Sequence, residues 1–464
     1  MSTVGLLHYT CPPIVGGVES LIALHCRLLV SHGYRARVLA GRGSPFNRQV
    51  ALTLIPALDS KYPPLLAVNE ELKAGQVGAG FHTLADELAD RLVKAFGGLD
   101  VCVIHNALTL HFNLPLTAAL HKLASEGAAP QLISWSHDLS WANPLYVPLM
   151  REREPWSLLK SPLPGVSYVV VSEDRRRALR RLWGRRPTPP TPLPKGPKGK
   201  GENHPDPFRE GGRGVRSGSA PDIAVVPAGV DPAAKLKLRS STLALARQLR
   251  IGDAWPFMLL PARITKRKNI EYAIEVTRGL RDRGLRPLLL VTGPPGPHNV
   301  RSVDYVDELR AKREALDVQA EVVFLHERRR TDGRPWRASD AVMDDLYQLA
   351  DMLLFPSAQE GFGIPLLEAG LARLPVFCSD IPPFREVAGK AAHFFGLDER
   401  PAHVAERIAT FLDRDETARL RRRVLSSFTW EHVFEERIEP LLAGGGGQEQ
   451  VRFAGSGVRA QAVR

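Results

Sequence analysis

Residues 351–370 read DMLLFPSAQEGFGIPLLEAG, and this stretch indicates how the second half of the chain folds. Its first part, DMLLFPS, is a short apolar run typical of a parallel strand that is covered on both faces. Pro365 suits the first turn of a helix, where no amide donor is needed, and an apolar helical run follows. Gly361 and Gly363 permit a tight loop between strand and helix. The stretch therefore predicts the strand–loop–helix unit of a doubly wound sheet.

The same alternation recurs in both halves of the chain. Segments with helical spacing, such as 18–30 and 270–280, separate short runs that are rich in β-forming residues. The predicted strands are VGLLHYT, ARVLAG, VCVIHN, QLISWSH and SYVVVS in the first half, and IAVVPAG, FMLLPARI, RPLLLVTG, EVVFLH, DMLLFPS and PVFCSD in the second. This pattern predicts an α/β protein of two Rossmann-like, doubly wound parallel-sheet domains. Because such sheets bind ligands beyond the carboxyl ends of their strands, we expect the site in a cleft that the two domains face.

Length and composition divide the chain further. Its 464 residues exceed what one hydrophobic core organises. The segment around residue 200 is rich in Pro, Gly and Lys/Arg and has few apolar residues to bury, which is typical of a disordered linker. The predicted parts are an N-terminal Rossmann-like domain (1–183), a basic Pro/Gly-rich linker or insertion (184–220), a C-terminal Rossmann-like domain (221–398), C-terminal helices (399–442) and a disordered tail (443–464).

The positive charge is concentrated in one segment. The chain carries a net charge of +12, and residues 175–216 hold 13 Lys and Arg against three acids. The remainder is therefore close to neutral, which argues against a nucleic-acid-binding domain. A weak contact between the basic linker and an anionic membrane is the alternative to a plain solvated spacer.

The remaining bulk properties are those of an ordinary soluble protein. Hydrophobic residues make up 44% of the chain and charged residues 24%. No apolar run approaches the length of a membrane span, and the start MSTVGLLHYT lacks the basic region of a signal peptide. The four cysteines show no pairing or metal-binding spacing, so we expect reduced thiols. A cytoplasmic location is predicted, with peripheral contact at the inner membrane face as a variant.

Two glutamates flank the loop in the opening stretch. Glu360 lies at the end of the predicted strand, and Glu368 lies about one turn into the helix. The free amides at the helix start form an anion site suited to a diphosphate, while the carboxylates can accept hydrogen bonds from sugar and ribose hydroxyls. The alternative is purely structural: a loop acid, and a helix acid that the helix dipole favours.

Two other strand ends carry basic residues or glycines. Arg263 ends the run FMLLPARI and Lys268 follows five residues later, where both can neutralise a diphosphate; a solvated basic turn is the alternative. Gly16 and Gly17 lie between the first strand and the first helix, the usual phosphate-approach position of such a domain. They do not complete a GxGxxG fingerprint, and a tight turn explains them equally well.

A histidine marks one further strand end. His137 and Asp138 follow the strand QLISWS in the first half. The imidazole can bond a substrate hydroxyl or help to transfer a proton. A structural histidine next to a capping or turn aspartate is the alternative.

Taken together, these motifs resemble a GT-B glycosyltransferase of the large retaining family 4, also called glycosyl transferases group 1. The E-x7-E arrangement of Glu360 and Glu368 is the most specific mark, and GGVE, VVVSEDRRRAL, VVPAGVD and the Arg263/Lys268 pair occur in the expected order. The resemblance covers roughly residues 1–183 and 221–440. It implies transfer of a hexose from a UDP- or GDP-sugar to an unidentified acceptor hydroxyl, with retention at the anomeric carbon and without a metal or other cofactor.

The resemblance also implies that the first domain (1–183) binds the acceptor, that the second (221–398) binds the nucleotide-sugar, and that the C-terminal helices (399–442) return to the first domain. It further implies residue roles in the second domain. Arg263 and Lys268 would hold the donor diphosphate, and Glu368 would contact the ribose hydroxyls. Glu360 would hold the transferred sugar together with the amides near Phe362, Gly363 and Ile364, and Gly361 would belong to the same donor-binding loop.

In the first domain, Gly17 and its neighbour Gly16 would approach the donor phosphates, and His137 would line the reacting centre. The candidate catalytic residues are thus Glu360, His137, Arg263 and Lys268. The acceptor is open: a sugar, a small hydroxyl compound or a glycolipid.

The sequence departs from the family pattern at three places. Ala228 replaces the asparagine of the usual PNGVD, and Ala262 replaces the glycine that usually precedes the arginine. His326 leads into ERRRTDGRPWRASD, a loop longer and more basic than usual where the family contacts the base, so the nucleotide stays open. Two other functions also stay open: a sugar phosphorylase or synthase with the same fold, and a non-catalytic binder of anionic surfaces through the basic linker.

Overall fold

The computed structural model describes residues 1–184, 221–295 and 301–443. They form two compact units, one with the residues up to Ala228 and those from Val433 onward, and one that runs from Gly229 to His432. Each unit contains one sheet whose strands are all parallel. The predicted fold class of two doubly wound α/β domains is therefore confirmed. The predicted cleft between the domains stays a prediction.

The first unit is built on a seven-stranded sheet with the order β3-β2-β1-β4-β5-β6-β7. Its strands are β1 (Thr3–Thr10), β2 (Arg35–Arg42), β3 (Val50–Leu54), β4 (Val101–His105), β5 (Gln131–Ser136), β6 (Ser167–Val170) and β7 (Ile223–Val225). Its helices are α1 (Gly17–Ser31), α2 (Pro63–Lys73), α3 (Ala79–Phe96), α4 (Leu114–Ser125) and α5 (Glu173–Gly184), and near the end of the chain a π-helical turn (Phe434–Ile438) and α16 (Glu439–Ala443).

The second unit has a six-stranded sheet with the order β10-β9-β8-β11-β12-β13. Its strands are β8 (Phe257–Leu260), β9 (Leu288–Val291), β10 (Val322–Phe324), β11 (Met352–Phe355), β12 (Val376–Ser379) and β13 (His393–Phe395). Its helices are α6 (Pro232–Lys235), α7 (Ser240–Gln248), α8 (Ile270–Arg281), α9 (Arg301–Ala315), α10 (Asp340–Leu349), α11 (Ile364–Leu371), α12 (Pro382–Ala388), α13 (Pro401–Arg414), α14 (Glu416–Ser427) and α15 (Trp430–Val433).

The central strands hold the core of each unit. Every residue of β1, β4, β8, β9 and β11 is buried. Helices cover both faces of a doubly wound sheet, so its inner strands are apolar throughout instead of alternating with polar residues. Runs such as FMLL and MLLF therefore identify these strands correctly.

Three edge strands depart from the sequence prediction. Ile223–Val225 was expected in the second domain, but β7 pairs with β6 and completes the first sheet. The strands Val50–Leu54 and His393–Phe395 were not predicted at all, and each lies at the edge of its sheet. Edge strands are short and only partly covered, so they lack the continuous apolar run that marks the inner strands.

Part of the basic segment is regular structure. Five of its arginines belong to α5 in the first unit, and four of them pair with acids. The shortest of these pairs are Arg176 with Glu173 at 2.6 Å and Arg175 with Asp138 at 3.2 Å. Its other basic residues lie outside the described residues. So do all but the first residue of the predicted linker 184–220 and of the predicted tail 443–464.

The strand order places the ligand-binding edge of each sheet. In the first unit the order reverses between β1 and β4, and in the second between β8 and β11. The loops that leave such a pair of strands diverge to opposite faces of the sheet and open a crevice at the carboxyl ends. In the second unit, the loops after β8 and β11 carry Arg263, Lys268 and Glu360, which the sequence analysis selected.

Candidate functional site

In the second unit, the loops after β8 and β11 meet. The first spans residues 261–269 and ends in a 3₁₀ turn, Lys266–Lys268, while the second spans residues 356–363. The amide of Ala358 donates a hydrogen bond to the carbonyl of Arg267 at 2.8 Å, which ties the loops together. The structure thus brings Lys268 and Glu360, selected separately from the sequence, to one place.

Glu360 is the centre of an ion cluster. Its carboxylate pairs with Lys268 Nζ through one oxygen and with Arg267 Nη1, at 2.9 Å, through the other. The side chains of Glu360 and Lys268 are each only 10% exposed. Burial opposes ionisation of Glu360, but the hydrogen bond from Lys268 and the charges of both cations outweigh it and lower its pKa below the usual value. Glu360 is therefore a carboxylate held between two cations.

Lys268 is a partly desolvated cation. Burial lowers its pKa below the usual value, although the bond and the charge of Glu360 act in the opposite direction. Its ammonium also lies 5.0 Å from the centre of the Phe355 ring. A cation with few waters to lose can bind an incoming anion strongly, so this position suits a phosphate contact.

The start of α11 depends on one glycine. Gly363 has φ 113°, a conformation that L side chains rarely adopt, and an added Cβ would lie 3.0 Å from the Phe384 ring. No side chain caps this helix, and Pro365 occupies its first turn. The helix start is thus open to an anionic ligand, while Phe362 and Ile364 are 50% and 60% exposed beside it.

Glu368 is held by a tyrosine. The hydroxyl of Tyr347, on α10, donates a hydrogen bond to Glu368 Oε2 at 2.5 Å. Burial, followed by this bond and the carboxylate charge, raises the pKa of Tyr347. The Glu368 carboxylate therefore has a fixed direction although its residue is exposed.

A cavity of about 1130 Å³ adjoins Glu368 and Arg263. Arg263 is exposed and forms no ion pair with any other described residue. Lys268 and Glu360 are not among the lining residues, so the ion cluster lies outside this cavity. The other lining residues are Pro261, Ala262, Thr292, Gly293, Pro294, His326, Pro335, Trp336, Arg337, Ala338, Asp340, Met343, Asp344, Tyr347, Gln348, Leu371 and Ala372.

The floor of the cavity requires a close approach of two strand ends. The amide of Gly293, after β9, donates to the carbonyl of Ala262, after β8, at 3.1 Å. A Cβ at Gly293 would lie 2.3 Å from that carbonyl oxygen, so no side chain fits. At the far side, Trp336 is buried and its indole N–H donates to Gln248 Oε1 at 2.7 Å. The long loop after His326 therefore forms an ordered wall.

In the first unit, Gly16 and Gly17 lie at the start of α1. Gly16 precedes the helix, and a Cβ there would lie 2.1 Å from a carboxylate oxygen of Glu19. Glu19 is buried and accepts a hydrogen bond from the hydroxyl of Thr10. Gly17 has open space around it, so sterics do not require a glycine there. The phosphate-approach role of the two glycines stays a prediction.

His137 follows β5 and is half-buried. Its amide donates to Asn106 Oδ1 at 2.8 Å, and its Nε2 lies 3.3 Å from Nδ1 of His105 at the end of β4. The rings of His137 and His105 are nearly parallel, with an interplanar angle of 17° and centroids 5.5 Å apart. Its neighbour Asp138 pairs with Arg175, which fits the capping and turn role.

The histidines near His137 are neutral at physiological pH. Burial lowers the pKa of His137 to about 4 and that of His25 to about 3. Burial also lowers the pKa values of His8 and His105. A half-buried neutral imidazole can donate one hydrogen bond to a ligand at its exposed edge, or accept one from it.

Four neighbours of the candidate residues were missed by the sequence analysis. Arg267 lies between two selected residues, and the run KRK could have drawn attention to it. Asn106 stands at a strand end, like the selected residues, with φ 63°. The contacts of Tyr347 and His105 join elements that are far apart in the sequence, and no local pattern reveals them.

Two searches of the described residues gave negative results. No group of three or more His, Cys, Asp or Glu side chains among them is arranged to hold a metal ion. None of their helices combines the length and the apolar character that crossing a bilayer requires.

Comparison with known proteins finds a family match within the second unit. Residues 243–424, less than half of the chain, match the family model "Glycosyl transferases group 1". The serotype-specific mannosyltransferase WbdA of Escherichia coli is 35% identical over 108 residues, 23% of this chain and 13% of that protein. The D-inositol 3-phosphate glycosyltransferase of Nocardia farcinica is 26% identical over 229 residues, 48% of this chain and 47% of that protein.

These matches span less than half the length of either curated relative. Among solved structures, sucrose-phosphate synthase from Thermosynechococcus elongatus aligns over 96% of this chain and 100% of that chain, with 14% identity and a TM-score of 0.32. A TM-score of 0.32 supports no conclusion about the function of this chain. The family match contains the strands, the loops and the ion cluster of the candidate site in the second unit.

Proposed function

We propose that the protein is a retaining glycosyltransferase that transfers a hexose from a nucleotide-sugar, a UDP- or GDP-sugar, to an acceptor hydroxyl. The observation that carries the proposal is the junction of the β8 and β11 loops, where Lys268 and Arg267 enclose Glu360 beside an uncapped helix start. The group 1 match of residues 243–424 supports the same reaction class.

The electrostatics of this junction suit a departing diphosphate. Two cations surround a single carboxylate, so the cluster carries a net positive charge, and Arg263 adds a further unpaired cation nearby in the sequence. Negative charge develops on the diphosphate as the sugar leaves. Fixed cations and free helix amides aimed at that charge lower the barrier without reorganising.

The cavity and the two glutamates suit the rest of the donor. A volume of about 1130 Å³ is large enough for a nucleotide, since ligand pockets commonly span about 300–1,000 Å³. Glu368, fixed by Tyr347 at the cavity wall, would accept hydrogen bonds from ribose hydroxyls. Glu360 would accept a bond from a hydroxyl of the transferred sugar while it keeps its cations.

The first unit would supply the acceptor side. Its half-buried, neutral His137 can bond a hydroxyl without introducing a charge. The proposed mechanism is attack on the face that the leaving group departs from, with a phosphate oxygen of the leaving group taking the acceptor proton. This assignment of faces and of the acceptor domain derives from the family resemblance.

The test is proton NMR of the full chain incubated with a panel of UDP- and GDP-sugars. We expect slow hydrolysis of one donor, with the α-anomer of the released sugar appearing first for an α-linked donor. Appearance of the β-anomer first would contradict retention. Turnover should survive dialysis against EDTA, because the proposal includes no metal.

Two further results would redirect the proposal. Consumption of a donor only when inorganic phosphate or a small sugar is present would favour the phosphorylase or synthase alternative. Failure of every donor to bind, measured by calorimetry on the same preparation, would contradict the nucleotide-sugar site itself.

A further inference from the structure

His105 is a buried histidine that the proposed reaction does not use. It ends β4, is fully buried, and its ring lies nearly parallel to that of His137, with an interplanar angle of 17° and ring centroids 5.5 Å apart. Its Nδ1 lies 3.3 Å from His137 Nε2, a distance at which one nitrogen must carry the proton and the other must accept it. Its Nε2 is buried without a hydrogen-bond partner among the described residues.

The surroundings of His105 restrict where its proton resides. A neutral imidazole carries one N–H, and His105 is surrounded by the rings of His8, His25 and Trp135. His8 Nδ1 lies 3.1 Å from the backbone carbonyl of His105, so His8 donates there. A proton on Nε2 of His105 would be a buried donor without an acceptor, and orphaned buried N–H groups are rarer than orphaned acceptors. A proton on Nδ1 can instead be donated to His137.

We propose that His105 is a positioning residue, which donates its Nδ1–H to Nε2 of His137 and thereby keeps the proton of His137 on Nδ1. His137 Nδ1 forms no hydrogen bond with a described residue, and the side chain is only half-buried, so this nitrogen belongs to the edge that a ligand can reach. His137 therefore presents an N–H donor, and its basic nitrogen is already occupied.

A proton fixed on Nδ1 limits the interactions that His137 can form with a ligand. A donor recognises an oxygen lone pair, such as that of a sugar or acceptor hydroxyl, and it cannot take the proton of an attacking hydroxyl through the same nitrogen. This consequence rests on the proposed function and deepens it, because it leaves the leaving phosphate as the proton acceptor. The proton position itself is independent of any activity.

The first experiment is long-range ¹H–¹⁵N NMR of the full chain labelled with ¹⁵N-histidine at pH 7.5. The His137 signal is assigned from its loss in His137→Asn. We expect its proton on Nδ1 and an unprotonated Nε2. A proton on Nε2, or rapid exchange between both nitrogens, would overturn the proposal for the wild-type chain without reference to a variant.

A matched pair of variants tests the positioning role. His105→Asn retains a side-chain N–H close to the position of Nδ1, whereas His105→Phe retains a ring without a donor. We expect His137 to keep its Nδ1 proton in His105→Asn and to become a mixture of both tautomers in His105→Phe. An unchanged tautomer in a folded His105→Phe would show that His105 does not set it. If His105→Phe does not fold, two other results test the proposal. They are the position of the His137 proton in the wild type and whether that proton stays on Nδ1 in His105→Asn.

Kinetics separate this proposal from the proposed function. If a donor is turned over, His105→Asn should retain turnover within about threefold, and His105→Phe should raise KM by roughly fivefold, as expected for one misdirected hydrogen bond. A chain that hydrolyses no nucleotide-sugar but carries the Nδ1 proton on His137 would contradict the proposed function and support the positioning role.

Discussion

The two units share one sheet architecture, yet their strand ends differ in electrostatic character. In the second unit, the loops after β8 and β11 gather charges: Lys268 and Arg267 around Glu360. In the first unit, the ends of β4 and β5 gather neutral imidazoles, of which His105 and His137 are in contact. The strand ends of the second unit therefore have the charges that suit a charged ligand, and those of the first unit have the neutral groups that suit an uncharged one.

Burial explains how each environment is maintained. Lys268 and Glu360 stay charged in a partly buried place because each compensates the other's loss of water. Around His105 and His137, burial outweighs the charge of the neighbouring Asp138 carboxylate, which raises the pKa of His137, and it keeps both imidazoles neutral. A charged cluster can stabilise a developing diphosphate charge, whereas a neutral cluster can orient a hydroxyl without competing for it.

The largest expected effect comes from removing charge in the second unit. Lys268→Ala leaves Glu360 with one cation and removes a fixed charge from the leaving group. We expect kcat to fall by about 100- to 1,000-fold, the range for losing one preorganised stabilising group. The measurement is the rate of nucleotide release from the donor identified by NMR.

Lys266→Ala is the matched control for that variant. Lys266 lies two residues away, but its side chain is 70% exposed and pairs with Glu271 and Glu308. We expect its kcat to change by less than about threefold, because exposed ion pairs contribute little. Equal losses of kcat in Lys268→Ala and Lys266→Ala would mean that the rate depends on the net charge of the loop and not on the buried contact between Lys268 and Glu360.

The next effect concerns the backbone at the start of α11. Gly363→Ala places a Cβ at φ 113° and within 3.0 Å of the Phe384 ring. We expect a loss of about 1–3 kcal/mol in the stability of the second unit, the usual cost of a strained backbone position. Gly361→Ala is the control, because an added Cβ there meets nothing within 4 Å. The check is the urea midpoint of both variants, and equal midpoints would contradict the strain argument.

This second unit was also the part of the molecule that the sequence described best. The inner strands β8 and β11 are apolar throughout, and Lys268 and Glu360, which were selected separately from the loops that follow them, are in contact in the structure, because carboxyl ends of adjacent parallel strands meet at one edge. Gly361 and Gly363 were treated alike, however, and only the structure separates the strained position from the open one.

Contacts between distant elements could not be predicted in the same way. Tyr347 reaches Glu368 from another helix, and His105 reaches His137 from another strand. Hydrophobic periodicity predicts which face of an element is buried, but not which polar group of a neighbouring element it meets. The edge strand Ile223–Val225 was misplaced for a related reason, since its three residues carry no signal of which sheet they join.

The neutral cluster of the first unit leads to a pH prediction. Burial lowers the pKa of His8 below 6.5, so below about pH 6.5 the unfolded chain binds a proton that the folded chain does not. The free energy of unfolding therefore falls as the pH drops from 6.5 toward the pKa that His8 has in the folded chain. His8→Asn keeps a donor for the His105 carbonyl but does not titrate. We expect its loss of unfolding free energy between pH 7.5 and 5.5 to be smaller than that of the wild type.

Urea midpoints at the two pH values, followed through a signal of the first unit, provide the check. His82→Asn is the control, because His82 is exposed on α3 and lies outside the cluster. A reduction of the pH dependence that is as large in His82→Asn as in His8→Asn would contradict the assignment to the buried cluster.

The smallest expected effect sharpens the role of Glu368 within the charged unit. Tyr347→Phe removes the hydroxyl that fixes the carboxylate, while the ring and its packing remain. If Glu368 contacts the ribose, a less ordered carboxylate binds it more weakly in the ground state and the transition state alike. We expect KM for the donor to rise by about fivefold, the equivalent of about 1 kcal/mol, and kcat to stay unchanged.

A double-mutant cycle isolates the coupling between the two side chains. In a Glu368→Ala background there is no carboxylate to orient, so adding Tyr347→Phe should change KM no further. Equal effects of Tyr347→Phe in both backgrounds would mean that Tyr347 acts on the cavity wall directly. A fall in kcat with unchanged KM would place Glu368 at the reacting bond and not at the ribose, because only an interaction confined to the transition state produces that pattern.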